Sequence, residues 1–152
     1  MAGTYFADLE VGETDAFGSY EVTREEILSF AERYDPQPFH VDEEAAAESL
    51  FGELVASGWH STAICMRILV DNVLGGGGSL GSPGVERLEW TAPVRPGETL
   101  SVRTEVLEKR PLESDPNRGL VTFHIELENE AGETKLSMEP KVFFRRRDAG
   151  DA

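Results

Sequence analysis

The chain has 152 residues, 39% hydrophobic and 9% aromatic, enough for one domain that buries roughly two-thirds of its unfolded surface. A formal net charge of −15 argues against a nucleic-acid or anionic-membrane surface, because both attract basic patches. No apolar run approaches the roughly 18 residues of a membrane span, and "MAGTYFADLEVGE" lacks the basic start and apolar stretch of a signal peptide, which predicts a cytoplasmic protein.

Cys65 is the sole cysteine, so no internal disulfide forms and a reducing compartment fits. Positive charge is mostly arginine, with lysine only at 109, 135 and 141. The acidity has two readings, an ordinary cytosolic protein or one adapted to high salt, where screening suppresses self-repulsion. The salt-adapted reading predicts an unfolding curve that responds to salt. Neither identifies a substrate.

Along the chain, Ala16, Gly18, Tyr20 and Val22 share one parity, a strand signal over Thr14–Val22. "TREEILSFAERY" follows, with a capping box from Thr23 to Glu26 and apolar residues Ile27, Phe30, Ala31 and Tyr34 at helical spacing. Asp35-Pro36 ends that helix, since the residue before proline leaves the α region. A shorter helix is predicted from its N-cap Asp42 to about Phe51, with Gly52 as the stop.

"HSTAICMRILVDNVL" (His60–Leu74) is apolar on most of its circumference, with Arg67 and Asp71 on one narrow polar stripe. Such a helix is buried on most sides, and it is too short to cross a bilayer. Four alternating segments come next, around Leu88–Ala92, Leu100–Val106, Val121–Leu127 and Leu136–Phe144. Each has one apolar and one polar face, as in an antiparallel sheet with one wet side. Pro140 indicates an edge or a bulge in the last of them. The class is α+β, and a curved antiparallel sheet wrapped around the long central helix, the hotdog fold, accounts for both patterns. With no repeat and no long linker, one domain is expected over 1–152, with its core at about 5–145 and a short polar tail at 146–152.

The stretch "YDPQPFHVD" sets Asp35 and His40 five residues apart with Pro36 and Pro38 between them. Each proline fixes its own φ, which limits how far the pair can drift. An imidazole with a pKa near about 6.5 exchanges protons at neutral pH, and a carboxylate beside it can orient and activate a water. Asp42 reads better as a helix cap than as a third acid–base group.

"FADLEVGE", "YDPQPFHVDEEAA", "LVASGWHS" and "LEWTAPVRPGETL" together resemble MaoC-like acyl dehydratases, which include (R)-specific enoyl-CoA hydratases, over about Tyr5–Arg145. The family motif D-x-N-P-x-H is matched by Asp35-Pro36-Gln37-Pro38-Phe39-His40, with Gln37 in place of the usual asparagine. The family's later His-Gly pair stands here as Ser57-Gly58. The resemblance implies catalytic Asp35 and His40, an acyl-thioester substrate on CoA, and a homodimer or higher homo-oligomer. The CoA belongs to the substrate, and neither cofactor nor metal is implied. The expected activity is reversible hydration of a 2-enoyl-CoA. The alternatives are a hotdog acyl-CoA thioesterase and a non-catalytic acyl-CoA-binding protein.

Hydration also needs donors for the enolate oxygen, and the N-terminus of the central helix concentrates them. The family points to the Gly58 N–H, whereas the residues alone allow Trp59 or His60 equally. Ser61 and Thr62 are candidate pocket hydroxyls, and Gln37 a candidate loop-holding hydrogen bond. His60 either flanks the pocket or caps the helix. His124 reads as a surface residue and Cys65 as an inert core thiol.

"GGGSLG" (76–81) matches a dinucleotide fingerprint in pattern but follows a helix and precedes a strand, the reverse of the required context. His40, Asp42 and His124 mimic a two-histidine, one-carboxylate iron site too weakly to favour a metal. Arg145–Arg147 are either contacts for a CoA phosphate or solvated charges.

Overall fold

The computed structural model describes residues 3–147. Strand β1 (Thr14–Glu21) leads into helix α1 (Arg24–Tyr34), the short helices α2 (Pro38–Val41) and α3 (Glu43–Glu48), and the central helix α4 (Gly58–Leu69). Strands β2 (Gly84–Trp90), β3 (Thr99–Pro111), β4 (Arg118–Glu128) and β5 (Thr134–Arg145) complete one antiparallel sheet in the order β1-β3-β4-β5-β2. This is the hotdog arrangement that the alternating strands and the apolar helix predicted. Ile64, Cys65, Ile68 and Leu69 of α4 pack on the sheet face formed by Val102, Phe123, Ile125, Leu127 and Met138.

The sequence pattern and the structure part at several points. The parity of β1 is broken by a bulge between Phe17 and Tyr20, so Phe17 and Tyr20 are the half-buried residues. Gly18 sits there at φ +94°, and a Cβ on it would lie 2.4 Å from the Ile68 side chain, so the bulge lets α4 lie close on the sheet. The predicted short helix ends at Ser49, whose hydroxyl bonds to Ala46 O at 2.6 Å, and Gly52 turns the chain afterwards at φ +75°. Pro140 lies inside the sheet, since β5 runs between β4 and β2; it pairs with Val85 beside a bulge in β2.

Helix α4 begins at Gly58, two residues before its predicted start, and its last turn widens into a π-helical turn, Val70–Leu74. It is buried on one side only: Met66 and Val70 are exposed, as is Ala63. Buried Lys135, on the expected polar parity of β5, donates to Pro93 O (2.9 Å) and pairs with Glu98 (3.0 Å) and Glu133 (2.6 Å). A buried charge is tolerated only with such partners. Of the expected polar tail, Arg147 grips the Asp8 carboxylate at 3.0 and 3.1 Å, and residues 148–152 lie outside the described residues.

Candidate active site

Helix α1 ends where Asp35 donates its backbone N–H to Ala31 O at 2.8 Å, so Asp35 rides on the last turn. The chain after it is not a plain loop. Gln37 is the N-cap of α2 and Pro38 takes its first position, where a missing N–H costs nothing and the fixed φ suits a helix. That turn carries His40 back toward Asp35. Pro38 therefore acts by starting a helix, a device the spacing alone did not reveal. Asp42 caps α3, accepting from Glu44 N and Ala45 N.

His40 is buried, and its Nδ1 lies 2.7 Å from Val55 O. A carbonyl only accepts, so Nδ1 carries the proton and Nε2 presents a lone pair. That Nε2 is 3.5 Å from Asp35 Oδ2. The separation is long for a direct hydrogen bond and suits a water touching both groups.

The Asp35 carboxylate is held from two sides. Gln37 Nε2 donates to Oδ1 at 2.7 Å and Ser57 Oγ donates to Oδ2 at 2.7 Å. Partial burial pushes the carboxyl up, but the Gln37 and Ser57 hydrogen bonds and the neighbouring His40 outweigh it and leave it below the usual carboxylate range. Gln37 thus holds the loop, and Ser57 both fixes Asp35 and caps α4 by accepting from Trp59 N at 3.3 Å.

The backbone donors at the start of α4 are now distinguishable. Trp59 N–H is taken by Ser57 Oγ, and the N–H groups of His60 and Ser61 by Ser57 O. Among the described residues, no acceptor takes the Gly58 N–H. Gly58 has no room for a side chain, because an added Cβ would sit 2.5 Å from the Trp90 ring. Trp90 is pinned there by its Nε1–H bond to Thr62 Oγ1 (3.0 Å) and by an edge contact with Trp59.

These groups line one cavity of about 410 Å³, walled by Phe39, Phe51, Trp59, Trp90 and Pro93 and containing Asp35, Gln37, His40, Gly58 and Ser61. A larger open groove of about 610 Å³, bounded by Pro83, Arg110 and Phe143, has no histidine in its wall. Thr62 lies outside this cavity, its hydroxyl committed to Gly58 O and Trp90. Trp90 and the Val55 carbonyl were not singled out from the sequence. Neither carries a local signal, since each reaches the site through a long-range contact.

The remaining candidates fall elsewhere. His60 is buried, stacked on Phe30 at 4.6 Å, with Nε2 3.4 Å from Glu26. His124 lies half-buried on β4 between Glu126 and Glu139, each at 3.3 Å. Burial pushes the Cys65 thiol up to about 12. Among the described residues, no cluster of three or more His, Cys, Asp or Glu could hold a metal ion, and no helix is long and apolar enough to cross a membrane.

A family profile described as "MaoC like domain" matches residues 9–126. The chain belongs to the MaoC-like dehydratase family. It is 44% identical to the MaoC-like dehydratase from Rhodospirillum rubrum, whose crystal structure superposes with a TM-score of 0.88 over 95% of this chain and 99% of that one. The unliganded R-hydratase PhaJ1 from Pseudomonas aeruginosa is 29% identical, with a TM-score of 0.69 over 91% of this chain and 83% of its own. A 3-hydroxybutyryl-CoA dehydratase from Methylorubrum extorquens is 34% identical over 108 residues, 70% of this chain and 66% of that protein.

Proposed function

We propose that this chain reversibly adds water across a 2-enoyl-CoA to give a 3-hydroxyacyl-CoA. The observation that carries the reading is the His40 Nε2 lone pair, 3.5 Å from an ionised Asp35 in a walled cavity beside the unclaimed Gly58 N–H. Asp35 orients a water and His40 Nε2 takes its proton as the oxygen bonds to the β-carbon. The electron pair of the double bond moves toward the thioester oxygen, where the Gly58 N–H at the positive end of α4 stabilises the enolate. The imidazolium, balanced by Asp35, then returns the proton to the α-carbon. Membership of a dehydratase family and likeness to a hydratase and a 3-hydroxybutyryl-CoA dehydratase support this chemistry.

The active form in this reading is a homodimer. The free edge of β2 and an apolar groove of about 450 Å³ along Met66, Val70 and Val73 support a second copy there, because open edges and apolar patches need cover. Light scattering behind size exclusion tests it, and a monomer at micromolar concentration rejects it.

Mass spectrometry of products from a panel of enoyl-CoAs tests the chemistry. A product heavier by one water supports hydration. Free CoA thiol without hydrated product supports a thioesterase instead, and tight binding without turnover supports a binding protein.

A further inference from the structure

A second imidazole–carboxylate pair lies between α4 and α1, and the hydration chemistry does not use it. His60 is inserted between α4 and α1, its ring parallel to Phe30 (4.6 Å between centroids, 7° between planes) and its Nε2 3.4 Å from Glu26 Oε1. The Tyr20 hydroxyl donates to the other Glu26 oxygen. Glu26 is in the capping-box position of α1, yet only half of the box forms. Thr23 Oγ1 accepts the Glu26 N–H at 3.2 Å, while the Glu26 carboxylate turns to Tyr20 and His60 instead of back to the Thr23 N–H.

The arrangement is costly as packing. His60 Nδ1 and Glu26 Oε1 are buried without a hydrogen-bond partner among the described residues. An apolar side chain at either position would avoid that cost. A buried polar contact kept under those conditions points to a geometric task. Two ties join α1 to the first turn of α4: His60 with Glu26 and Phe30, and Ser57 with Asp35. The His60 backbone N–H is itself bonded to Ser57 O at 3.0 Å. With Asp35 held to Ala31 O, the path Asp35–Ser57–His60–Glu26–α1 closes into a ring.

We infer that His60 and Glu26 are positioning residues that fix where α1 stops along α4, and thereby hold Asp35 against Ser57 and within reach of His40. The inference rests on the hydration reading for its kinetic consequence, but its geometric content does not need turnover.

Two variants test it. His60→Phe keeps the stack on Phe30 and removes the contact with Glu26. Glu26→Gln keeps the shape of a partly exposed side chain and removes its charge, so it serves if the first variant does not fold. Each should lower kcat about tenfold with KM within about twofold, because substrate contacts are intact while the reacting geometry is loosened. Each should also raise the Asp35 titration seen by carbon NMR of the side-chain carboxyl, because the Ser57 hydrogen bond weakens. Combined with Ser57→Ala, the loss in kcat should be smaller than the product of the single losses, since both act through one carboxylate. Unchanged kcat and unchanged Asp35 titration, even with a lower melting temperature, would overturn the inference. A wild type inactive on every acyl-CoA would reject the hydration reading instead, with the Asp35 titration still deciding this one.

Discussion

The molecule contains two buried imidazoles, each beside a carboxylate at nearly the same separation, 3.5 Å for His40–Asp35 and 3.4 Å for His60–Glu26. Their surroundings make them opposites. His40 gives its Nδ1 proton to a backbone carbonyl and aims an accepting Nε2 at the cavity. His60 sets Nε2 3.4 Å from a Glu26 oxygen, and its Nδ1 is buried without a partner among the described residues. Burial pushes the His60 imidazole below its ordinary value against the pull of Glu26. A histidine beside an acid is therefore not by itself an acid–base catalyst. What differs between the two is the partner of the second nitrogen, a carbonyl for His40 and none among the described residues for His60.

The comparison breaks most visibly by removing each pair in turn. His40→Ala and Asp35→Asn should each lower kcat on a 2-enoyl-CoA by about 10²–10⁴-fold, the usual worth of a positioned acid or base. His60 and Glu26 should cost far less, as described above. Steady-state kinetics on purified variants measures the contrast, and equal losses at the two pairs would erase it.

Gly58→Ala should come next. Its Cβ would sit 2.5 Å from an indole fixed by Thr62 and Trp59, so the start of α4 or Trp90 must shift. Overpacking of this kind costs about 1–3 kcal/mol, readable in urea unfolding. Turnover should fall about tenfold or more, since the proposed hydration needs that N–H at the thioester oxygen.

Ser57→Ala sharpens the comparison through pH. Folded Asp35 lies below its ordinary 3.8, so its ionised form contributes stability at higher pH that is lost as pH falls through the lower folded value. Without the Ser57 donor that value rises toward 3.8, and the acid limb of the activity profile should move up with it. The lost cap on α4 should cost about 1 kcal/mol at any pH. An unmoved acid limb would mean that Ser57 does not hold Asp35 in solution.

The smallest effect concerns salt. The formal charge of −15 should make the urea midpoint rise from low to multimolar salt, as repulsion between exposed carboxylates is screened. The two imidazoles are buried and feel that screening less, so the pH profile should stay in place while the midpoint moves.

Much of this was legible residue by residue. The apolar circumference of His60–Leu74 and the alternation around Phe123 and Met138 reported a helix packed on a one-sided sheet, because period follows from burial. The spacing of Asp35 and His40 implied that the two side chains meet, and Asp42 read as a cap, as the structure has them. The role of Glu26 was misread, because a capping box is a local signal and His60 and Tyr20 compete for the same carboxylate from distant parts of the chain. The helix was read as buried on most sides, but one chain's sheet covers only one flank and leaves Met66 and Val70 exposed.

Local pattern was enough for the kinds of element, for Asp35 and His40 lying within reach of each other, and for the cap at Asp42. Those depend on periodicities, caps and proline geometry acting over a few residues. The fold, rather than any local pattern, settles which ring nitrogen of His40 is tied to a carbonyl, which backbone N–H at the head of α4 lacks an acceptor, and which carboxylate is gripped by two side-chain donors. Those depend on Val55 and Ser57 arriving from a separate part of the chain, and no local pattern encodes what a side chain meets across the core.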